Sequence, residues 1–266
     1  MRNPLFQIAE LRRYAAKIGW SAALLLRMSD FGLRAGIVLP STIELQLRNA
    51  QHPLAMRTGT SDRDVLRQVF VEEEYALAGS FSARTIIDLG AHVGYASVSL
   101  LSKLPNATLL AVEPDPVNVE ICRKNLAPFG ARAKVVHGAA WHECGKLTLA
   151  RGIYRDGRDW STQVFATSDA DAASDSTYVE SYDMPTLLAM SGAGQVDFLK
   201  IDIERSELEL FSHNVNDWLP RVRNLCIELH DKECEDAFFK ALSRYSYKLS
   251  RCGDLTYCHD LRLMPD

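Results

Sequence analysis

The side chains able to do chemistry in this 266-residue chain gather in four short runs. "IIDLGAHVGYAS" carries Asp88 into a turn flanked by Gly90 and Gly94, and Glu113 closes the next apolar run nineteen residues after Gly94. Further on, "FLKIDIE" alternates Lys200, Asp202 and Glu204, and "IELH" alternates Glu228 with His230. Alternate residues of a strand share a face, so each pair or triplet points to one side if the strand runs that far. Carboxylates and an imidazole grouped in this way can take the proton of a weakly acidic hydroxyl. His230 is the first choice of base, because an ordinary histidine pKa suits proton abstraction near neutral pH. The competing reading is a strand-end histidine bonded to a loop. Asp202, Glu204 and His230 also form an oxygen-rich set for magnesium or manganese. That option ranks second, since three spaced ligands on two strands are a weak signal.

The elements that must position these residues are short β-rich runs alternating with helical ones from residue 85 onward. "TIIDLG", "ATLLAVEPD", "AKVVHGAAW", "VDFLKIDI" and "NLCIELHD" read as strands. "YASVSLLSKL", "PVNVEICRKNLAPFG", "MPTLLAMSG", "SELELFSHN" and "ECEDAFFKALSRY" read as helices. Pro116 sits near the start of the second helix and Gly130 past its end, as helix termini favour. Strands apolar on both faces and joined by helices predict an α/β fold with a doubly wound, mostly parallel sheet. "YKLSRC" and "TYCHDLRLM" read as a hairpin across Gly253-Asp254, giving the sheet an antiparallel C-terminal edge. Residues 1–55 lie outside this rhythm and read as an N-terminal helical extension, leaving 56–266 as the α/β domain. "ATSDADAASDSTYVES" reads as a polar loop, and together with the preceding "DWSTQV" as either a substrate lid or an insertion.

In a doubly wound sheet the ligand sits beyond the carboxyl ends of the strands. Gly90 and Gly94 allow a sharp turn and close approach of backbone to ligand. Glu113 stands where a carboxylate accepts hydrogen bonds from ribose hydroxyls; an ordinary βα turn with a surface glutamate is the alternative. The loop is not GxGxxG, however. His92 takes the second position, where a dinucleotide pyrophosphate requires glycine, and Asp88 would repel phosphate but bind an ammonium group. S-adenosylmethionine, an adenosine with a zwitterionic tail and no phosphate, meets both conditions.

"IIDLGAHVGYAS", "AVEPDPVNVEICRKNL", "HGAAW", "VDFLKIDIERSELELF" and "CIELH" occur in the order seen in FkbM-type S-adenosylmethionine-dependent methyltransferases. The upstream "RTGTSDRDVLRQVFVEEEYAL" also resembles the segment preceding their catalytic core, so the resemblance covers about residues 57–231. It implies a Rossmann-like class I methyltransferase fold and O-methylation of a hydroxyl on a sugar, glycan or natural product. Carried over residue by residue, it places Asp88, Gly90, Ala91, His92, Gly94, Tyr95, Glu113, Pro114, Ala139, Ala140 and Asp202 around the cofactor. Ser61 and Tyr75 then cover it from upstream. Tyr95 is read either as a cation–π partner of the sulfonium or as helix packing, and Ala139 and Ala140 as small residues leaving room for adenine. Two positions depart from the family: His92 stands for its usual Asn, and Arg205 for the Gly of D-x-E-G. Arg205 is read as filling space, contacting an acidic substrate, or pairing with Glu209 at i+4.

Composition bounds the rest. A formal charge of −4 gives no reason to expect a nucleic-acid partner. Met1–Arg57 holds eight Lys/Arg against three Asp/Glu, a basic arm on an acidic body. Its stretch "AAKIGWSAALLLRMSDFGLRAGIVL" is broken by Lys17, Arg27, Asp30 and Arg34, short of the about 18 apolar residues of a membrane span. It reads as amphipathic helices, a place for homo-oligomer contacts or membrane-surface adhesion. The six cysteines show no CxxC or zinc spacing, which fits a reducing cytoplasm. Two other function classes remain: a catalytically silent methyltransferase fold acting as scaffold, and a nicotinamide-linked oxidoreductase, which His92 disfavours.

Overall fold

The computed structural model describes residues 4–80, 82–151, 162–166 and 177–265. In chain order the elements are α1 (Pro4–Ile18), α2 (Trp20–Arg34), β1 (Thr42–Leu45), β2 (Leu54–Arg57), α3 (Asp62–Leu66), β3 (Thr85–Leu89), α4 (Tyr95–Lys103), β4 (Thr108–Glu113), α5 (Pro116–Leu126), β5 (Ala133–His137) and β6 (Ala139–Ala140). There follow β7 (Gly145–Arg151), β8 (Thr162–Ala166), β9 (Thr177–Tyr182), α6 (Met184–Met190), β10 (Phe198–Ile201), α7 (Glu207–Ser212), β11 (Leu225–Glu228), α8 (Lys232–Ala241), β12 (Tyr245–Cys252) and β13 (Leu255–Leu263).

Seven strands form the main sheet in the order β12-β13-β11-β10-β3-β4-β5. β3, β4, β5, β10 and β11 run parallel, and β13 lies antiparallel between β11 and β12. The chain leaves β3 toward one edge and returns at β10 on β3's other side. The strand order therefore reverses between β3 and β10, which opens a crevice at their carboxyl ends. The C-terminal hairpin turns through Gly253-Asp254 as expected, but its last strand is inserted inside the sheet and β12 forms the edge.

Period-two alternation assigns the two faces. Ile86, Leu109, Phe198, Cys226 and Tyr257 join one apolar core, and their neighbours Ile87, Leu110, Leu199, Ile227 and Cys258 join the other. The first core takes in α4, α5 and the N-terminal helices through Tyr14, Ile18 and Leu26, so the described residues 4–55 share a core with the sheet. They are also not helical throughout: β1 and β2 pair as an antiparallel hairpin. That hairpin is stitched to the body by Asn125, which accepts from Ala55 N (2.7 Å) and donates to Val93 O (2.8 Å).

A second sheet, β6-β9-β7-β8, grows from the end of β5. The run read as one strand, "AKVVHGAAW", breaks at Gly138, and Ala139 and Ala140 leave the main sheet to pair with Ser181 and Tyr182. A Cβ at Gly138 would stand 2.4 Å from the Tyr182 ring, so glycine is what lets the two strands cross. The end of the expected polar loop is a strand, β9, with Val179 and Ser181 buried between exposed neighbours. Residues 167–176, and 159–161 of the expected lid, lie outside the described residues. All six cysteines are free and four are buried, the behaviour of small hydrophobes. Among the described residues no helix is long and apolar enough to cross a membrane.

Candidate active site

A pocket lies in the crevice where the strand order reverses, walled by the β3–α4 turn, the ends of β4, β10 and β11, the helical segment after β2, and β8 of the second sheet. The turn is built first. Gly90 N and Ala91 N both donate to Val112 O at 3.0 Å, which ties the turn to β4. Gly90 has φ +74°, and a Cβ there would fall 1.7 Å from the carbonyl oxygen of Asp202. The glycine is therefore demanded by the neighbouring strand exit and not, as expected, by ligand approach alone. Gly94 (φ +84°) precedes α4, where a Cβ would come 3.1 Å from Cys122 Sγ; it shapes the turn from outside the pocket wall.

Beneath the turn sits a buried ion pair. Asp88 and Lys200 are opposite one another on β3 and β10, and their charged atoms are 3.0 Å apart. Ser97 donates to Asp88 Oδ2 (2.6 Å), and Lys200 Nζ donates to Gly90 O (2.6 Å) and Leu89 O (3.3 Å). Burial alone would lower the lysine pKa, but Asp88 and then Asp202 outweigh it and raise it. Asp88 is thus committed within the fold and lies outside the pocket lining, which corrects its expected role as an ammonium ligand. Its work is to hold Lys200, and through it the turn.

At the end of β4, Glu113 is almost fully buried. Its Oε2 accepts from His92 N (2.8 Å), and its Oε1 accepts from Asp115 N (3.0 Å) and Asn118 Nδ2 (3.2 Å). Burial pushes its pKa up to about 7 despite those three donors. An ionised carboxylate offers about four lone-pair sites, so one remains, enough for a single hydroxyl where two were expected. The network continues around the pocket. Arg57 donates to Asn118 Oδ1 (2.9 Å) and bidentately to the buried Asp62, whose Oδ1 lies 4.0 Å from His92 Nε2. His92, at φ +49°, lines the pocket, and both its ring nitrogens are buried without a hydrogen-bond partner. Burial drives its pKa down to about 4, so the ring is neutral.

Ala91, Pro114, Gly138, Ala139 and Ala140 line the pocket with little or no side chain. Tyr75 lines it from upstream, whereas Ser61 is buried away from it. Tyr95 also reaches the lining; its hydroxyl donates to Ala55 O (3.0 Å) and its ring meets Phe70 edge-on.

The opposite end is acidic. β10 ends at Ile201, and Glu204 (φ +51°) and Arg205 (φ +78°) bend the chain, so Glu204 does not share a strand face with Asp202 as expected. Both nonetheless converge on His230: its Nε2 is 3.5 Å from Glu204 Oε2 and 3.8 Å from both Asp202 Oδ1 and Glu228 Oε1. Glu207, fully buried, faces Nδ1 at 3.3 Å and also accepts from Ile203 N. Burial would depress the histidine pKa, but Glu207, then Asp202 and Glu204, push it up to about 10. A ring already protonated at neutral pH accepts no proton, and His230 lies behind the pocket wall. The expectation that it is the base is corrected; Asp202, Glu204 and Glu228 reach the pocket instead. Arg205, at a backbone angle that favours the family's glycine, pairs with Asp231 and Glu233 at the start of α8, not with Glu209.

Sequence reasoning did not find Glu74, Asn118, Gly138 or Asp254, all of which line the pocket. Asn118 alone left a signal, two residues past the proline that starts α5 and within one turn of Glu113. Glu74 has its pKa pushed up to about 7, by burial first and then by Glu72 and Glu228. Thr162 and Val164, within the described part of the expected lid, are placed on the pocket by β8.

A family model described as the methyltransferase FkbM domain matches residues 88–255. Among curated proteins, methyltransferase sdnD of Sordaria araneosa is 24% identical over 190 residues, covering 62% of this chain and 73% of the relative. Methyltransferase 1 of Beauveria bassiana (strain ARSEF 2860) is 22% identical over 195 residues, covering 66% and 76%. A solved structure, methyltransferase FkbM from Methylobacillus flagellatus KT, has a TM-score of 0.49 at 16% identity over 71% of this chain and 47% of its own. The chain spans about half the length of that structure.

Proposed function

The chain belongs to the FkbM methyltransferase family, and we propose that this S-adenosylmethionine-dependent enzyme methylates a hydroxyl oxygen of a neutral sugar, glycan or natural product. The carrying observation is one crevice at the strand-order reversal with Glu113 on one wall and several carboxylates at the other end. The residues fit the cofactor. His92 offers two orphaned ring nitrogens beside the turn, Glu113 keeps one acceptor site, and Gly138-Ala139-Ala140 leave a floor free of bulk. In this reading Glu113 holds a ribose hydroxyl, His92 the amino-acid tail, and Pro114, Ala139 and Ala140 the adenine. When bound, the cofactor supplies an electrophilic methyl carbon on a sulfonium.

The chain's own part is alignment and proton removal. Asp202 and Glu228 reach the pocket with His230 behind them, so either carboxylate can accept the hydroxyl proton while the imidazolium holds both in place. An acidic end also repels anionic acceptors, which favours a neutral hydroxyl compound. Residues 56–266 act as the methyltransferase domain in this reading, with 1–55 packed against it.

A second reading is favoured by one distance set: donor atoms of Asp202, Glu228 and His230 all lie within 4.8 Å of one another. Those three would hold magnesium or manganese, with Glu207 orienting the ring from Nδ1. Such an ion acidifies a bound hydroxyl. Labelled-cofactor assays over hydroxylated acceptors, with and without chelator, test both. Under the first reading Asp202→Asn and Glu228→Gln bind cofactor within about threefold of wild type but lose roughly 10²-fold in turnover, and chelator changes nothing. Activity lost on chelation and restored by magnesium or manganese selects the second. Transfer only to nitrogen or sulfur acceptors would defeat the hydroxyl assignment.

A further inference from the structure

The outward face of α2 is built the wrong way round for a helix that only packs on its own protein. Ala22, Ala23, Leu26, Ser29 and Gly32 are buried against the body, so mainly small residues face the core. The large ones face out: Trp20 is 55% exposed, Met28 67% and Phe31 69%, with Leu24 beside them. At about 100° per residue these four fall within one quadrant of the helix. Ile37 and Val38, just past the helix end, continue the exposed apolar run. Scattered single apolar residues on a surface need no explanation, but a contiguous stripe of this size does.

Charge identifies the occupant. Arg27 and Arg34 fall on the rim of the same outward face, next to Trp20 in helical projection. Arg12 and Arg34 are exposed, and neither has an acidic partner among the described residues. The acids of these two helices are engaged: Asp30 pairs with Arg63 (2.6 Å), and Glu10 lies 4.0 Å from Arg27, so Arg34 is the rim cation that neither acid meets. A second copy of the chain would bring the same cations to this face and no counter-charge. We propose that the α2 face, with Trp20, Leu24, Met28 and Phe31 as its apolar stripe and Arg34 as its rim cation, seats the enzyme on an anionic lipid bilayer. Aromatic and aliphatic side chains enter the headgroup boundary, while Arg34 meets lipid phosphate.

The test is co-sedimentation of the full chain with phosphatidylcholine vesicles containing or lacking roughly 30% phosphatidylglycerol. The wild type is expected to partition onto the anionic vesicles, at least about tenfold less onto zwitterionic ones and at about 0.5 M salt. Trp20→Glu/Phe31→Glu should lower partition by more than about tenfold, and Arg34→Glu by less, because the apolar stripe is the larger anchor. Thermal unfolding and cofactor titration of each variant, unchanged from wild type, show that it is folded. Folded wild type that ignores anionic vesicles would overturn the proposal, as would a double variant that still partitions. A dimer in sedimentation velocity that Trp20→Glu/Phe31→Glu dissolves, without vesicle binding, would assign the face to a second copy instead.

Discussion

Protonation of Glu113 should set the pH dependence of cofactor binding. Burial opposes its charge and raises its carboxyl pKa from an ordinary value of 4.5 to about 7. The folded chain therefore holds this proton more tightly than the unfolded one. Its contribution to stability is present below pH 4.5 and is lost as pH rises through 7, by about 3 kcal/mol at most. Under the proposed reading binding reverses the sense, since a ribose hydroxyl would add a fourth donor to the ionised carboxylate. Below pH 7 each cofactor bound must expel the proton, so affinity should rise about tenfold per pH unit up to 7 and level off by about pH 8. Calorimetry in buffers of different ionisation enthalpy should detect release of about half a proton at pH 7. His92 is neutral above about pH 4 and cannot supply this signal. Glu74 also titrates near 7 but faces the acidic end, so Glu74→Gln should keep the profile and Glu113→Gln should flatten it. Affinity that is flat from pH 6 to 8, or a profile unchanged in Glu113→Gln, would refute the reasoning.

The other expectations concern the frame. Gly90→Ala should destabilise the fold by more than about 3 kcal/mol in urea unfolding, because its Cβ meets backbone at 1.7 Å and cannot be moved aside. Gly94→Ala, whose nearest contact is the edge of a cysteine side chain at 3.1 Å, should lose only about 1–2 kcal/mol, mainly from its positive φ. Lys200→Met leaves Asp88 buried without its cation and should lower stability by about 3–5 kcal/mol; adding Asp88→Leu should restore much of it, and additive losses from the two substitutions would contradict the pairing. Tyr95→Phe should lose about 1 kcal/mol in thermal unfolding with cofactor affinity unchanged, since its hydroxyl serves Ala55 and not a ligand.

What the sequence disclosed and what it withheld divide along a physical line. Strands apolar on both faces, a proline opening α5 and a two-residue Gly253-Asp254 turn are local signals, and each produced its element where expected. Breaks that depend on a distant partner were not visible. Gly138 ends β5 because Tyr182 crosses there, and β13 enters the sheet because β11 offers it an edge. The site follows the same rule. That Asp202, Glu204, Glu228 and His230 follow two neighbouring strand ends could be read from the sequence, but not the left-handed bend that turns Glu204 back toward His230, nor their charge states. Those depend on Glu207, a residue of the next helix that no spacing ties to His230, yet its carboxylate is what makes the ring a cation. Asp88 teaches the converse: read alone, an acid before a glycine turn seeks a cationic ligand. In the fold it has found one within the chain, Lys200 on the adjacent strand. The acid end is different: the three carboxylates of Asp202, Glu204 and Glu228 gather around one imidazole, with Lys200 3.7 Å from Asp202. That surplus of negative charge on the pocket wall is the property an acceptor hydroxyl would meet.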